Sequence, residues 1–150
     1  MHKPGFPQAH VVLSGVYDAQ GDLDAAAAAL EAALQQRPDW PGALFNYGVV
    51  LRKLGRSTAA EAVFRRELAV DAGNADAYLE LASLLLARDA LEEAEKLLRL
   101  ALAHKPDFPE AHFALSNVHD AQGDLGAAAA AVEAALRQRP DWARALNNYG

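Results

Sequence analysis

A spacing of 34 residues recurs along this chain, and it constrains the fold more than any other feature. The triplet Pro-Asp-aromatic occurs as Pro38-Asp39-Trp40, Pro106-Asp107-Phe108 and Pro140-Asp141-Trp142, with starts 68 and then 34 residues apart. Gly21, Gly55 and Gly123 are separated by 34 and 68, and Asp89 stands in the missing place. Two independent markers thus give one period. A unit this short cannot bury its apolar face alone, so neighbouring units must stack and share a core.

Each unit reads as two helices. Leu44, Tyr47, Gly48 and Leu51 fall at i, i+3, i+4 and i+7, which places them on one helical face. The same places hold His10, Leu13, Ser14 and Tyr17, then Tyr78, Leu81, Ala82 and Leu85, then His112, Leu115, Ser116 and His119. The third place is always small, which predicts a close approach by a neighbouring helix. A second helix repeats as Ala26, Leu30, Ala33; Ala60, Phe64, Glu67; Ala94, Leu98, Ala101; and Ala128, Val132, Ala135. The Gly between the helices suits a left-handed residue that ends a helix. The Pro that follows the second helix cannot continue it.

This pattern resembles the tetratricopeptide repeat: a large residue, Leu, a small residue, Tyr, a turn Gly, then Ala, an aromatic or Leu, Ala and a closing Pro. The match covers 7–40, 41–74, 75–108 and 109–142, with 143–150 opening a fifth unit. The resemblance implies an all-α fold, a right-handed α-α superhelix of antiparallel helix hairpins. Three places depart from the pattern. Asp89-Ala90 replaces the turn Gly-Asp, so the third bend is less well served. Ala72 replaces the closing Pro, and Asn74 is expected to cap the next helix. Glu67 replaces a packing Ala and is expected to snorkel or to pair with an Arg such as Arg66 or Arg99.

A longer period of 102 residues overlies the first. Residues 18–40 and 120–142 differ only at Asp24/Gly126, Leu30/Val132 and Gln35/Arg137, and His2–His10 reappears with changes as His104–His112. Both ends read as cut from a longer array; the alternative is a short gene whose last helix serves as a cap.

The chemistry available is limited. With no Cys, disulfides and thiolate sites are excluded. A net charge of −6 disfavours a phosphate-binding surface, so no nucleic-acid partner is expected. An RNA-reading hairpin repeat of similar period is disfavoured on the same ground and by the mixed column Asp18, Arg52, Leu86, Asp120. No stretch approaches the ~18–20 apolar residues of a membrane span. The N-terminus lacks the apolar core of a signal peptide, so a soluble, cytoplasmic chain is the default expectation. His112 and His119 share a helical face but occupy core places, so buried structural histidines are expected rather than a metal site. Asp18, Asp22 and Asp24 lack the spacing of a calcium loop and read as turn chemistry. Glu92, Glu93 and Glu95 interleave with Lys96 and Arg99 as a solvated face. No nucleophile with a base and no phosphate loop occurs. No cofactor, metal or catalytic activity is expected.

In arrays of the family that this chain resembles, first helices line a concave groove. The places facing it hold Val11, Phe45, Leu79 and Phe113, then Val49, Ser83 and Asn117, with Asn46 and Arg52 beside them. An apolar row of this kind suits an extended or helical peptide with apolar anchors. The family's carboxylate clamp is rejected, because its places hold Val11, Gly15, Asn46, Asp76 and Glu80, of which only Asn46 fits. The first expectation is therefore a protein-interaction scaffold binding a peptide in the groove. Two other readings stay open: a substrate-recruiting segment of a larger bacterial glycosyltransferase- or sulfotransferase-type enzyme, and an array that self-associates end to end through residues such as Leu146 and Tyr149.

Overall fold

The structure, a computed structural model, describes residues 7–142. Among these the chain forms eight α-helices: α1 (Pro7–Ala19), α2 (Leu23–Gln36), α3 (Ala43–Lys53), α4 (Ser57–Val70), α5 (Ala75–Ala87), α6 (Leu91–His104), α7 (Pro109–Ala121) and α8 (Leu125–Gln138). Each expected interval from 7–40 to 109–142 encloses one helix pair. The partial unit 143–150, with Leu146 and Tyr149, lies outside the described residues.

The chain divides into two compact units, Met1–Ala72 and Gly73–Gly150. In the first, α1 packs on α2, α2 on α3 and α3 on α4. In the second, α5 packs on α6, α7 packs on both α5 and α6, and α8 packs on α7.

Local chemistry explains where the helices begin and end. Asp22, Asn74 and Asp124 each accept a hydrogen bond at 3.1 Å from the backbone N–H three residues on, capping α2, α5 and α8. Asn74 thus supplies the cap expected of it. Arg56 and Ala90 stand in the places of Asp22 and Asp124 and provide no side-chain cap for α4 and α6. The turns within the four hairpins need a left-handed residue. Gly21, Gly55 and Gly123 meet this at φ 79–80°, whereas Asp89 is forced to φ 65°. The third bend is therefore the strained one.

The core follows the second-helix triplets. Ala26, Leu30, Ala33, Ala60, Phe64, Ala94, Leu98, Ala101 and Ala135 are buried. Ser14, Gly48, Ala82 and Ser116, the small third places, are buried as well. The reason is clearest at Gly48, where a Cβ would lie 2.6 Å from Phe64 Cε1. The bulkiest second-helix residue thus sits under the one first helix that has no side chain to offer.

At Glu67 burial overturns one of the two expectations, that its side chain snorkels. The side chain is fully buried, and its Oε1 accepts a hydrogen bond from the Gly42 N–H at 2.9 Å. Beside it, Arg66 Nη2 donates to the Pro38 carbonyl at 2.9 Å. α4 therefore holds both ends of the 38–42 loop.

The Pro-Asp-aromatic loops share a further contact. Arg37 lies over the Trp40 ring at 4.3 Å, Lys105 over Phe108 at 4.2 Å and Arg139 over Trp142 at 4.9 Å. In each loop a cation three residues before the aromatic folds back across its face.

Candidate functional site

In the first unit, α1 and α3 stand side by side and leave a concavity of about 190 Å³ between them. Its floor is Ser14, Leu30 and Val50, and its walls are Gly15, Phe45 and Val49, with Asp18 and Asn46 at the rim. The lack of a side chain at Gly15 keeps the α1 wall low. Phe45 is held by the buried Phe64 ring, centroid to centroid 5.8 Å at 53°. Asp18 is fixed by Lys53, whose Nζ lies 3.0 Å from Oδ1. Such a space is smaller than the ~300–1,000 Å³ of a small-molecule pocket. It has room for one large apolar side chain, with an amide and a carboxylate at its edge.

Of the nine residues expected to face a groove, the structure brings Phe45, Asn46 and Val49 together here. Val11 is half-buried and packs instead against the cluster of Ala26, Ala27, Leu30 and Val50. Arg52 is half-buried on α3, outside the concavity. In the second unit Leu79 is half-buried, and the exposed Ser83 spends its hydroxyl on the Leu79 carbonyl at 3.0 Å. Phe113 is half-buried, edge-on to Trp142 at 6.1 Å, and Asn117 is exposed. The floor residues Ser14, Leu30 and Val50 were missed as site residues because their spacing marks them as core, which they also are.

Next to the concavity, the Tyr47 hydroxyl donates to Glu31 Oε1 at 2.8 Å. Burial and then this hydrogen bond push the Tyr47 phenol up to about 12.

The other sequence candidates have structural roles. His119 is buried, with Nδ1 3.2 Å from Gln122 Oε1, and His112 is half-buried. Asp22 is a helix cap, Asp18 pairs with Lys53, and Asp24 lies 4.0 Å from Arg56. A broad depression of about 470 Å³ over α6 is lined by Glu92, Glu95, Lys96, Arg99 and Leu100. Hydrogen bonds from Gln122 and then Arg99 hold the Glu95 carboxyl below its ordinary range, which is the behaviour of a paired surface charge. Among the described residues no three His, Asp or Glu gather to hold a metal ion, and no helix is long and apolar enough to cross a membrane.

The fold is shared with known structures. The crystal structure of MamA superposes with a TM-score of 0.86 at 19% identity, covering 95% of this chain and 83% of that one. YrrB, described as a TPR protein with an unusual peptide-binding site, gives 0.83 at 19% identity, covering 96% and 74%. Among curated proteins, the cellulose synthase operon protein C of Xanthomonas axonopodis pv. citri (strain 306) is 35% identical over 130 residues, 81% of this chain. The chain spans only 9% of that relative's length. The tetratricopeptide repeat family matches over residues 13–75 in one form and over 51–112 and 91–148 in another. The chain therefore belongs to the tetratricopeptide repeat family, whose all-α repeat fold serves as a protein-interaction scaffold.

Proposed function

We propose that the chain binds a peptide segment of a protein partner, with one apolar anchor side chain of that peptide seated between α1 and α3 of the first unit. The observation that carries this reading is the concavity itself. It has an apolar floor of Leu30 and Val50, an aromatic wall at Phe45, and an amide at Asn46 placed to meet a peptide backbone. An anchored peptide of this kind gains most of its affinity from the buried side chain, while the rim groups select register. Val49 lies on the same wall. Val11 and Arg52 flank it in the same unit, and in the second unit, taken by itself, Leu79, Ser83, Phe113 and Asn117 are the candidate contacts on its first helices.

The experiment is selection of a random-peptide display library on the purified chain. It is run in parallel with Asn46→Arg, which fills the concavity from an exposed position without touching the core, and with the pair Phe45→Glu/Phe113→Glu. Peptides sharing an apolar anchor are expected on the wild type and absent on both variants, with helicity retained in Asn46→Arg. Enrichment that survives Asn46→Arg would place binding elsewhere.

A second reading is favoured by the Xanthomonas match. There the repeats belong to a much longer protein of a cellulose synthase operon. On that reading this chain is a recruiting segment, and its partner is a component of a polysaccharide-synthesising assembly. Capture of such a component by the wild type but not by Asn46→Arg would support it.

A further inference from the structure

Among the described residues only two glycines stand in the interior of a helix, Gly15 in α1 and Gly48 in α3. Glycine there costs a helix stability relative to Ala, so each calls for a reason. Gly48 has one in the Phe64 ring. Gly15 has none within the molecule. Its backbone is not left-handed, and a Cβ placed on it would meet nothing within 4 Å. The repeat does not ask for a small residue either, since the same place holds Val49, Ser83 and Asn117 in the other units.

The missing side chain leaves open the α1 wall of the concavity between α1 and α3. The α3 wall is Phe45 and Val49, and Leu30 and Val50 lie in the floor. The Phe45 ring is seated against the buried Phe64. The Ser14 hydroxyl is spent on the Val11 carbonyl at 2.6 Å, so it offers no free donor to an occupant. Asp18 is the one charged residue among those lining the space, and Lys53 Nζ lies 3.0 and 3.1 Å from its two oxygens. The space is thus bounded by bare helix backbone on one side and an aromatic ring on the other, with no unbalanced charge. A flat, uncharged ring suits it. Aromatic rings pair favourably with one another, and a ring lies against helix backbone only where no Cβ intervenes.

We propose that Gly15 is the specificity-determining residue of this site, and that the anchor it admits is an aromatic side chain of the partner peptide, lying between the Gly15 backbone and the Phe45 ring. This rests on the peptide-binding reading above and adds to it what the anchor is and which residue selects it. Gly15 gives up helix stability for the width of the site. Stability and binding therefore respond in opposite directions when it is replaced.

Peptides selected on the wild-type chain from the random library supply the probe. The strongest is made with Phe, Leu or Ala at its anchor and titrated calorimetrically into the wild type, Gly15→Ala, Gly15→Val and Asn46→Arg. Urea titration of each chain reads stability. The wild type is expected to enrich Phe or Trp anchors and to bind the Phe form more tightly than the Leu or Ala form. Gly15→Ala should weaken the Phe form by about tenfold or more, as a methyl-sized change does in a hydrophobic pocket, while its urea midpoint rises. Gly15→Val, which copies the residue of α3, should weaken the Phe form further and affect the Ala form least. Equal affinity of the wild type and Gly15→Ala for the Phe form, with binding still lost in Asn46→Arg, would overturn this inference and leave the peptide site standing. Aliphatic anchors selected on the wild type would do the same. A Gly15→Ala chain that loses stability along with binding would overturn it by giving Gly15 a packing role. No enrichment on the wild type, or peptides that bind Asn46→Arg equally well, would overturn the site itself and this inference with it.

Discussion

Gly48 and Phe64 trade size against each other, and replacing Gly48 by Ala tests that trade. The added Cβ would lie 2.6 Å from Phe64 Cε1 and 2.8 Å from Cδ1 and Cζ. Carbon atoms rest at about 3.5–4.0 Å, so the ring must retreat by roughly 1 Å. It has no room to do so, since Phe64 is fully buried and Phe45 lies across it. Overpacking of this kind costs about 1–3 kcal/mol. Ala in a helix interior returns about 0.8–1.0 kcal/mol relative to Gly. The net loss is about 1 kcal/mol. In a Phe64→Leu background the obstacle is gone and only the helix preference remains, so the same substitution should stabilise by up to about 1 kcal/mol. The coupling is therefore about 2 kcal/mol, well beyond the ~0.3–0.5 kcal/mol scatter of independent sites. Urea titration followed by circular dichroism reads it. With a slope of about 2 kcal/mol/M, the midpoint falls by roughly 0.5 M in the wild-type background and rises by a similar amount in Phe64→Leu. Shifts of the same sign and size in both backgrounds would refute the reasoning.

Three further outcomes are expected. Asp89→Gly relieves a left-handed residue at φ 65° and should stabilise the chain by about 0.5–1 kcal/mol, read as a raised urea midpoint. Glu67→Ala removes the acceptor of the Gly42 N–H and empties part of the core, so a loss of about 1–3 kcal/mol is expected despite Ala being the family's usual residue there. Tyr47 has a folded value of about 12 against an ordinary 10.0, so the fold favours the neutral phenol. Its contribution is complete below pH 10 and is lost as pH rises through 12. The wild type should therefore lose stability across that window more steeply than Tyr47→Phe, and equal slopes would refute the assignment.

The period, the helix pairs and most of the core were legible because they depend on spacing, which a helix converts directly into a face. The Asn74 cap and the strain at Asp89 were legible for a similar local reason: turn and cap chemistry lies within three or four residues. Glu67 was not, because its partner is the backbone of a loop 25 residues away. The cation–aromatic loops are spelled out as Arg37-Pro38-Asp39-Trp40 and Arg139-Pro140-Asp141-Trp142, but the spacing of the triplets marks only the period and does not reveal that the cation folds back across the ring. At the candidate site, Phe45, Asn46 and Val49, taken from the family's groove places, line the concavity. Val11, from the same column, packs on the cluster of Ala26, Ala27, Leu30 and Val50, because a column in a repeat does not reveal which of its members a neighbouring helix covers.

The loop contacts at Trp40 and Trp142 give the molecule a built-in pair of optical gauges. The chain has two tryptophans, one in Met1–Ala72 and one in Gly73–Gly150, each lying beneath a guanidinium in its loop. An indole changes its emission when such a cover lifts and water reaches the ring. With Trp40→Phe the fluorescence comes from the second unit alone, and with Trp142→Phe from the first. Two unlabelled single-tryptophan variants can thus report whether the two halves melt together or in turn.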